Sequence, residues 1–306
     1  MLFPARLLLS EKVIANPIAK HHCICYNPSS PLNAKQGGIL LLEAVIFDLD
    51  DTLLHDNRTI SDETVRVLQT LASHGVRILP ASGRSPESME QYVRRLGCCE
   101  AYIACNGAEV WKTSGECLMK INLPLAVAEE VIQFGNEYDV YMQTYDFGTF
   151  HYNRESHFAQ EYAVSTSLRG ILTPDLITFL QGHPTCKILL MGDPELISRM
   201  RADGSARFSD RASITTSKPT FLEVNPLHTS KGLALAFCAD HFNFHLDQTI
   251  AFGDSLNDLS MIQAAGTGVA VGNAWDEVKA CADDVCLSNE EDGIAHYLTD
   301  HFPCYF

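Results

Sequence analysis

Residues 44–54 read AVIFDLDDTLL: four apolar residues run straight into Asp48, and Asp50 and Asp51 follow within three positions. Like charges this close repel one another, so packing gives no reason to gather them behind an apolar run. Three later stretches repeat the arrangement. "VRILPAS" leads into Ser82, Gly83 and Arg84, "AYIAC" into Asn106 and Gly107, and "QTIAFG" into Asp254, Ser255, Asn257 and Asp258. Lys231 opens a further apolar-periodic stretch. Carboxylates, one amine, hydroxyls and glycine turns in one site suit phosphoryl transfer. Asp48 can attack phosphorus as a carboxylate nucleophile and form an aspartyl phosphate. Asp48 and Asp254 can hold Mg²⁺, a hard cation that prefers oxygen ligands and offsets the charge of both reactants. Lys231 and Ser82 can hold the transferring phosphoryl oxygens, helped by backbone N–H groups near Leu49 and Gly83. Asp50, two residues beyond Asp48, projects to the same side of an extended strand end and can act as general acid and base. Asp51 is left as a turn residue. Singly, each of these residues has an ordinary structural role: a strand-end cap, a turn, a solvated charge. Their order, each at a strand end or helix start, points to chemistry where each residue alone does not.

The elements that must position them are legible from residue 43 onward. "AVIF" has the unbroken apolar character of a parallel strand buried on both faces. "SDETVRVLQTLASHG" is a helix with Ser61 as N-cap, acids in its first turn and Gly75 closing it. "VRILPAS" is a second strand, "SPESMEQYVRRLGC" a helix and "AYIACNGA" a third strand. The rhythm returns near residue 220 with the helix "SKGLALAFCADHF", the strand "QTIAFGD", the helices "NDLSMIQAAG" and "WDEVKACA", the strand "DDVCL" and the helix "DGIAHYLTDHF". Alternating strands and helices argue for an α/β class with a doubly wound parallel sheet core. In such sheets, ligands bind beyond the carboxyl ends of the strands, where all four clusters fall.

The middle block, 122–217, changes character to α+β and has the length of a small inserted cap domain. It contains the helix "PLAVAEEVIQFGNEY", a hairpin around Phe147-Gly148, the strand "TCKILLMG", the helix "DPELISRMRAD" and an extended "SARFSDRASITTS". Tyr141, Tyr145 and His151 on its aromatic hairpin are candidates for choosing the leaving group, and equally for packing. The expected division is therefore an N-terminal extension at 1–42, poorly ordered; a catalytic core at 43–121 and 218–306; and the cap at 122–217.

The 306 residues carry a net charge of −16, which argues against a nucleic-acid backbone or an anionic membrane as partner. A small anionic substrate stays compatible, because a bound cation can make a local site positive. No apolar stretch reaches the length of a membrane span. Eleven cysteines lie scattered without a paired framework, which reads as reduced thiols in a cytoplasmic protein. The segment "HHCIC" at 21–25 lacks a second cluster at zinc-site spacing.

"FDLDDTLL", "ASGR", "SKG" and "GDSLNDLSM", in that order, resemble the haloacid dehalogenase superfamily of phosphohydrolases. "YIACNGA", "FLEVNPLHTSKGLAL" and "LSNEEDGIAHYL" are similar to its Cof-type subfamily. The resemblance covers about residues 43–306 and leaves the extension outside it. It implies a Rossmann-like form of the doubly wound core, with a large α/β cap inserted after the third strand. It also implies that Asp48 is the nucleophile and Asp50 the acid/base, that Ser82 and Lys231 bind phosphoryl, and that Asp48, Asp50, Asp254 and Asp258 surround Mg²⁺. Thr52 then orients the first loop, Asn257 touches phosphate or substrate, and Gly83, Arg84 and Asn106 line the substrate side. An acid at position 50 separates phosphatases and phosphomutases from the family's dehalogenases and transport ATPases. The resulting expectation is a Mg²⁺-dependent phosphatase, monomeric or dimeric, acting on a sugar phosphate or a cofactor phosphate such as pyridoxal phosphate. A phosphomutase and a non-catalytic binder of phosphometabolites are the alternatives.

Overall fold

The computed structural model describes residues 42–306, so "HHCIC" and all of the extension but Leu42 lie outside the described residues. Five parallel strands form the central sheet, in the order Asp284–Val285, Thr267–Ala270, Thr249–Gly253, Ala44–Phe47, Arg77–Pro80. The strand that comes first in the chain lies inside the sheet. From it the chain winds outward to Arg77–Pro80, and later from Thr249–Gly253 outward to Asp284–Val285. The reversal makes the ends of Ala44–Phe47 and Thr249–Gly253 the switch point at which open α/β sheets bind ligands.

Alternation along Ala44–Phe47 explains why all four residues are apolar. Val45 and Phe47 pack on one face with Ile78, Ile250, Phe252 and the helices Asp62–Ser73 and Gly293–His301. Ala44 and Ile46 pack on the other with Leu79, Ala251 and the helix Lys231–Phe242. The helix Asp62–Ser73 starts as expected, with the Ser61 hydroxyl accepting from the Thr64 N–H at 3.0 Å.

The strand Ala101–Ala104 joins the central sheet through a single parallel bridge, Ala81 to Ile103, and otherwise starts a three-stranded antiparallel sheet with Glu109–Lys112 and Cys117–Lys120. Periodicity gave no sign of the last two strands, which are short and lie partly in solvent.

The inserted block carries its own six-stranded sheet, ordered Ala212–Thr215, Phe221–Pro226, Ile188–Met191, Tyr141–Asp146, Thr149–Tyr152, Arg169–Leu172. The hairpin at Phe147-Gly148 forms between Tyr141–Asp146 and Thr149–Tyr152. Two readings shift. Phe221–Pro226, placed with the core by the expected boundary at 217/218, pairs on both sides within this sheet. The "SARF" of the segment read as extended belongs to the helix Pro194–Phe208, because Met200, Gly204 and Phe208, four apart, are buried along one stripe. Leu222 and Val224 join the same core as Met142, Ile188 and Leu190.

Among the described residues no helix is long and apolar enough to cross a membrane. Among the described residues eight cysteines are free thiols.

Candidate active site

The parallel register sets Phe47 beside Phe252 on one side and Pro80 on the other, so Asp48, Asp254 and Ser82 emerge from the sheet edge near one another. The Asp48 N–H still donates to the Phe252 carbonyl at 3.1 Å, which fixes the backbone from which its carboxylate projects. The chain then makes a wide turn, Leu49–Leu53, closed by the Leu54 N–H on the Leu49 carbonyl at 2.8 Å. Asp51 sits within it at φ +59°, its carbonyl accepting from the Asn273 amide at 2.6 Å, a turn position at the edge of the cleft.

Lys231 is the centre of the charge arrangement. It is fully buried, and its Nζ donates to Asp48 Oδ1 at 2.5 Å and to Asp258 Oδ1 at 2.6 Å. It reaches that place from the first turn of the helix Lys231–Phe242, capped by Ser230, whose hydroxyl accepts from the Leu233 N–H. The helix start is set against the Asn106-Gly107 turn. A Cβ on Gly107, at φ +93°, would lie 2.1 Å from the Ser230 carbonyl oxygen, so glycine is required by both space and conformation. Cys105 and Asn106 also adopt positive φ, +50° and +56°. Two consecutive non-glycine residues there are backbone strain held by their surroundings.

Asp258 is spent on structure as well as charge. Its Oδ2 accepts from the backbone N–H groups of Asp254 and Ser255 at 3.0 and 3.1 Å. Asp254 in turn accepts from the Thr52 hydroxyl at 2.7 Å. The Thr52 side chain thereby joins the first loop to Asp254, and it is this bond rather than the cleft that it serves.

Carboxylate oxygens of Asp48, Asp254 and Asp258 lie within 4.8 Å of one another, all buried. Burial, opposed by Lys231 and reinforced by the charge of Asp258, raises the Asp48 carboxyl well above its ordinary range. Burial together with Asp258 and Asp48 does the same for Asp254. Fully ionised, the three carboxyls would exceed the one ammonium by two negative charges in a buried pocket. A hard divalent cation with oxygen ligands fits that donor set.

The Asp50 side chain stands apart from the trio. Arg84 holds its carboxylate in a two-pronged pair, Nε and Nη2 each at 2.7 Å. Burial works against the charged form, but the Arg84 guanidinium prevails and holds Asp50 below the usual carboxylate range. Arg84 also donates to Ser88 at 2.8 Å and to the Ser165 carbonyl of the inserted block at 2.9 Å. The Ser82 hydroxyl is buried and accepts from the Arg84 N–H at 3.2 Å.

Asp48, Asp50, Ser82, Gly83, Arg84 and Asn257 line one wall of a cleft with about 70 Å³ of free volume; Tyr162, Lys187, Lys218 and Glu223 line the wall opposite. Asn106 sits behind, donating to Glu223 at 2.7 Å and accepting from Asn257 at 3.0 Å. Lys187 donates to Glu223 at 2.9 Å and to the Gly83 carbonyl at 2.8 Å, both charges buried. Sequence reasoning missed Lys187, Glu223 and Asn225. A signal existed in "FLEVNP", where Glu223 and Asn225 alternate with apolar Leu222 and Val224. The aromatic candidates are not in this wall: Tyr145 donates to Tyr162 at 2.7 Å, Tyr141 stacks on Tyr152, and His151 stacks on Phe179.

A doubly wound core whose switch point gathers acids around a buried lysine, roofed by an inserted α+β unit, defines a capped Rossmann-like hydrolase. A model of the haloacid dehalogenase-like hydrolases matches residues 45–298. A putative phosphatase of Haemophilus influenzae is 30% identical over 272 residues, covering 86% of this chain and all of that protein. A 5-amino-6-(5-phospho-D-ribitylamino)uracil phosphatase of Bacillus subtilis is 29% identical over 84% of this chain and 97% of its own length. The crystal structure of a haloacid dehalogenase-like hydrolase from Bacteroides thetaiotaomicron superposes with TM-score 0.75 at 28% identity, covering 85% of this chain and all of that one. The chain belongs to the haloacid dehalogenase-like hydrolases.

Proposed function

We propose that this chain is a Mg²⁺-dependent phosphatase that hydrolyses a small phosphorylated metabolite through an aspartyl phosphate on Asp48. The observation that carries the reading is the grip of buried Lys231 on Asp48 beside two further buried acids. Lys231 holds Oδ1 and leaves the other Asp48 oxygen to attack phosphorus. As that bond forms, the bond from phosphorus to the ester oxygen breaks, and Asp50 gives the leaving oxygen its proton. A water then attacks phosphorus, Asp50 takes the water's proton, and inorganic phosphate departs with Asp48 restored. Asp48 and Asp254, with Asp258 behind them, would hold Mg²⁺, which would supply the positive charge that lets a carboxylate meet a phosphate dianion.

The pairing of Asp50 with Arg84 bears on the order of events. Paired, Asp50 is a carboxylate ready to accept a proton from water. To donate one it must first hold it, which is favoured once Arg84 turns to the incoming ester. Arg84 thereby links arrival of substrate to the proton affinity of the acid. Lys187, Lys218 and Glu223 line the cleft, and we assign to them the sorting of substrates by the polar groups of the leaving side. A relative named for a phosphoribityl-aminouracil supports a sugar-like or cofactor-precursor phosphate.

The test is hydrolysis of an aryl phosphate, then of a panel of phosphometabolites, with Mg²⁺ and with chelator. Mg²⁺-dependent release of inorganic phosphate is expected, with Asp48→Asn slower by at least ~10³-fold. Undiminished turnover in Asp48→Asn overturns the assigned nucleophile. An isomerised phosphate ester in place of inorganic phosphate overturns hydrolysis in favour of a mutase.

A further inference from the structure

Away from the carboxylate trio, a second cluster of ligating side chains spans the two units. Cys105, Glu109 and Cys186 are all buried, and one ligand atom of each lies within 4.8 Å of the others. Cys105 and Glu109 flank the Asn106-Gly107 turn of the core. Cys186 belongs to the inserted block and precedes Lys187. The backbones of the two cysteines are clamped together, because the Asn225 amide donates to both of their carbonyls at 3.0 Å. The thiols are thus brought together by a polar clamp and not by chance contact of apolar side chains. Both cysteines are free.

Donor type and space at this cluster suit a cation that displaces the thiol protons. The Glu109 carboxylate meets Lys120 Nζ at 3.1 Å and the Trp111 indole N–H at 2.7 Å, so its orientation is fixed by groups around it. Two thiolates and a carboxylate balance a dication plus the Lys120 ammonium. A cavity of about 230 Å³ reaches the three residues and gives room for a water as fourth ligand. None of the three takes part in the phosphatase chemistry.

We propose that Cys105, Glu109 and Cys186 form a site for a thiophilic divalent cation of the Zn²⁺ type, which ties the inserted block to the core beside Leu123, where the chain enters that block. Thiolate ligands select such a cation over Mg²⁺, so the two sites sort metals by donor chemistry. Binding releases the thiol protons. The proposal stands on this cluster alone and does not depend on the phosphatase reading.

The experiment uses the full chain, reduced and freed of metal, titrated with Co²⁺ as spectroscopic probe. One equivalent is expected to give thiolate-to-cobalt charge-transfer absorption, lost in Cys105→Ser and in Cys186→Ser, retained in Cys238→Ser, and abolished in wild type by Zn²⁺. X-ray absorption fine structure of the wild-type protein with one equivalent of Zn²⁺ is expected to show two sulfur ligands, which needs no variant to fold. Zinc held by nitrogen and oxygen alone, charge-transfer absorption that survives Cys186→Ser, or a Cys105–Cys186 disulfide in the untreated protein overturns the proposal.

Discussion

Replacing Lys231 by methionine isolates what the buried ammonium does. Lys231 has no exposed surface and sits 2.5 Å from Asp48 and 2.6 Å from Asp258. Methionine keeps most of the stem volume and removes the charge, so the loss is electrostatic rather than a cavity. Breaking a buried pair by removing one partner costs about 3–5 kcal/mol. At about 2–4 °C per kcal/mol for a chain of this size, the melting temperature in chelator falls by about 6–20 °C. Saturating Mg²⁺ shrinks that loss, because the cation faces acids relieved of their competing ammonium. Lowering the pH shrinks it too, since orphaned carboxylates take up protons. Adding Asp258→Asn to Lys231→Met removes one orphan and recovers part of the stability. Turnover falls by about 10²–10³-fold even where the fold is intact, as for loss of one charged donor to the phosphoryl oxygens. Calorimetric melting in chelator and in Mg²⁺, with steady-state kinetics on the same samples, reads all of these. A stability loss below about 1 kcal/mol, or one unchanged by Mg²⁺, refutes the reasoning.

Burial and mutual repulsion raise Asp48 and Asp254, so the metal-free fold holds protons that the unfolded chain has released above about pH 4. Without metal, stability therefore falls as pH climbs from about 4 through the raised values, and Mg²⁺ raises the melting temperature more at pH 8 than at pH 5. Equal shifts at the two pH values count against proton–metal competition. Asp50→Asn should slow turnover by about 10²–10⁴-fold while phosphoenzyme builds up, read by acid quench and mass spectrometry; wild-type rates would remove Asp50 from the chemistry. Gly107→Ala puts a methyl 2.1 Å from the Ser230 carbonyl at a positive φ, and should cost more than about 1 kcal/mol and displace Lys231. A variant with wild-type melting and kinetics would show that the turn yields freely.

The core was readable because its chemistry sits where strands stop. Asp48, Ser82 and Asp254 each follow a short apolar run, and a buried parallel strand announces itself by that run. What could not be read is pairing across distance. Asp50 and Arg84 share a bond over 34 residues, and Lys187 meets Glu223 over 36. A lysine in "TCKILL" looks like any solvated charge until the sheet that buries it is known. The same holds for "FLEVNP", whose flanking stretches suggested the core while its hydrogen bonds run to Ile188–Met191. The thiols of Cys105 and Cys186 lie 81 residues apart in the chain, and they meet because the inserted block folds back over the Asn106-Gly107 turn.

The central claim is that phosphate passes through Asp48. Borohydride added during turnover reduces an acyl phosphate to an alcohol and so converts the aspartate to homoserine. The account predicts that conversion at position 48, dependent on both substrate and Mg²⁺ and absent in Asp48→Asn. Full turnover with Asp48 unmodified, or reduction at another carboxylate, contradicts it.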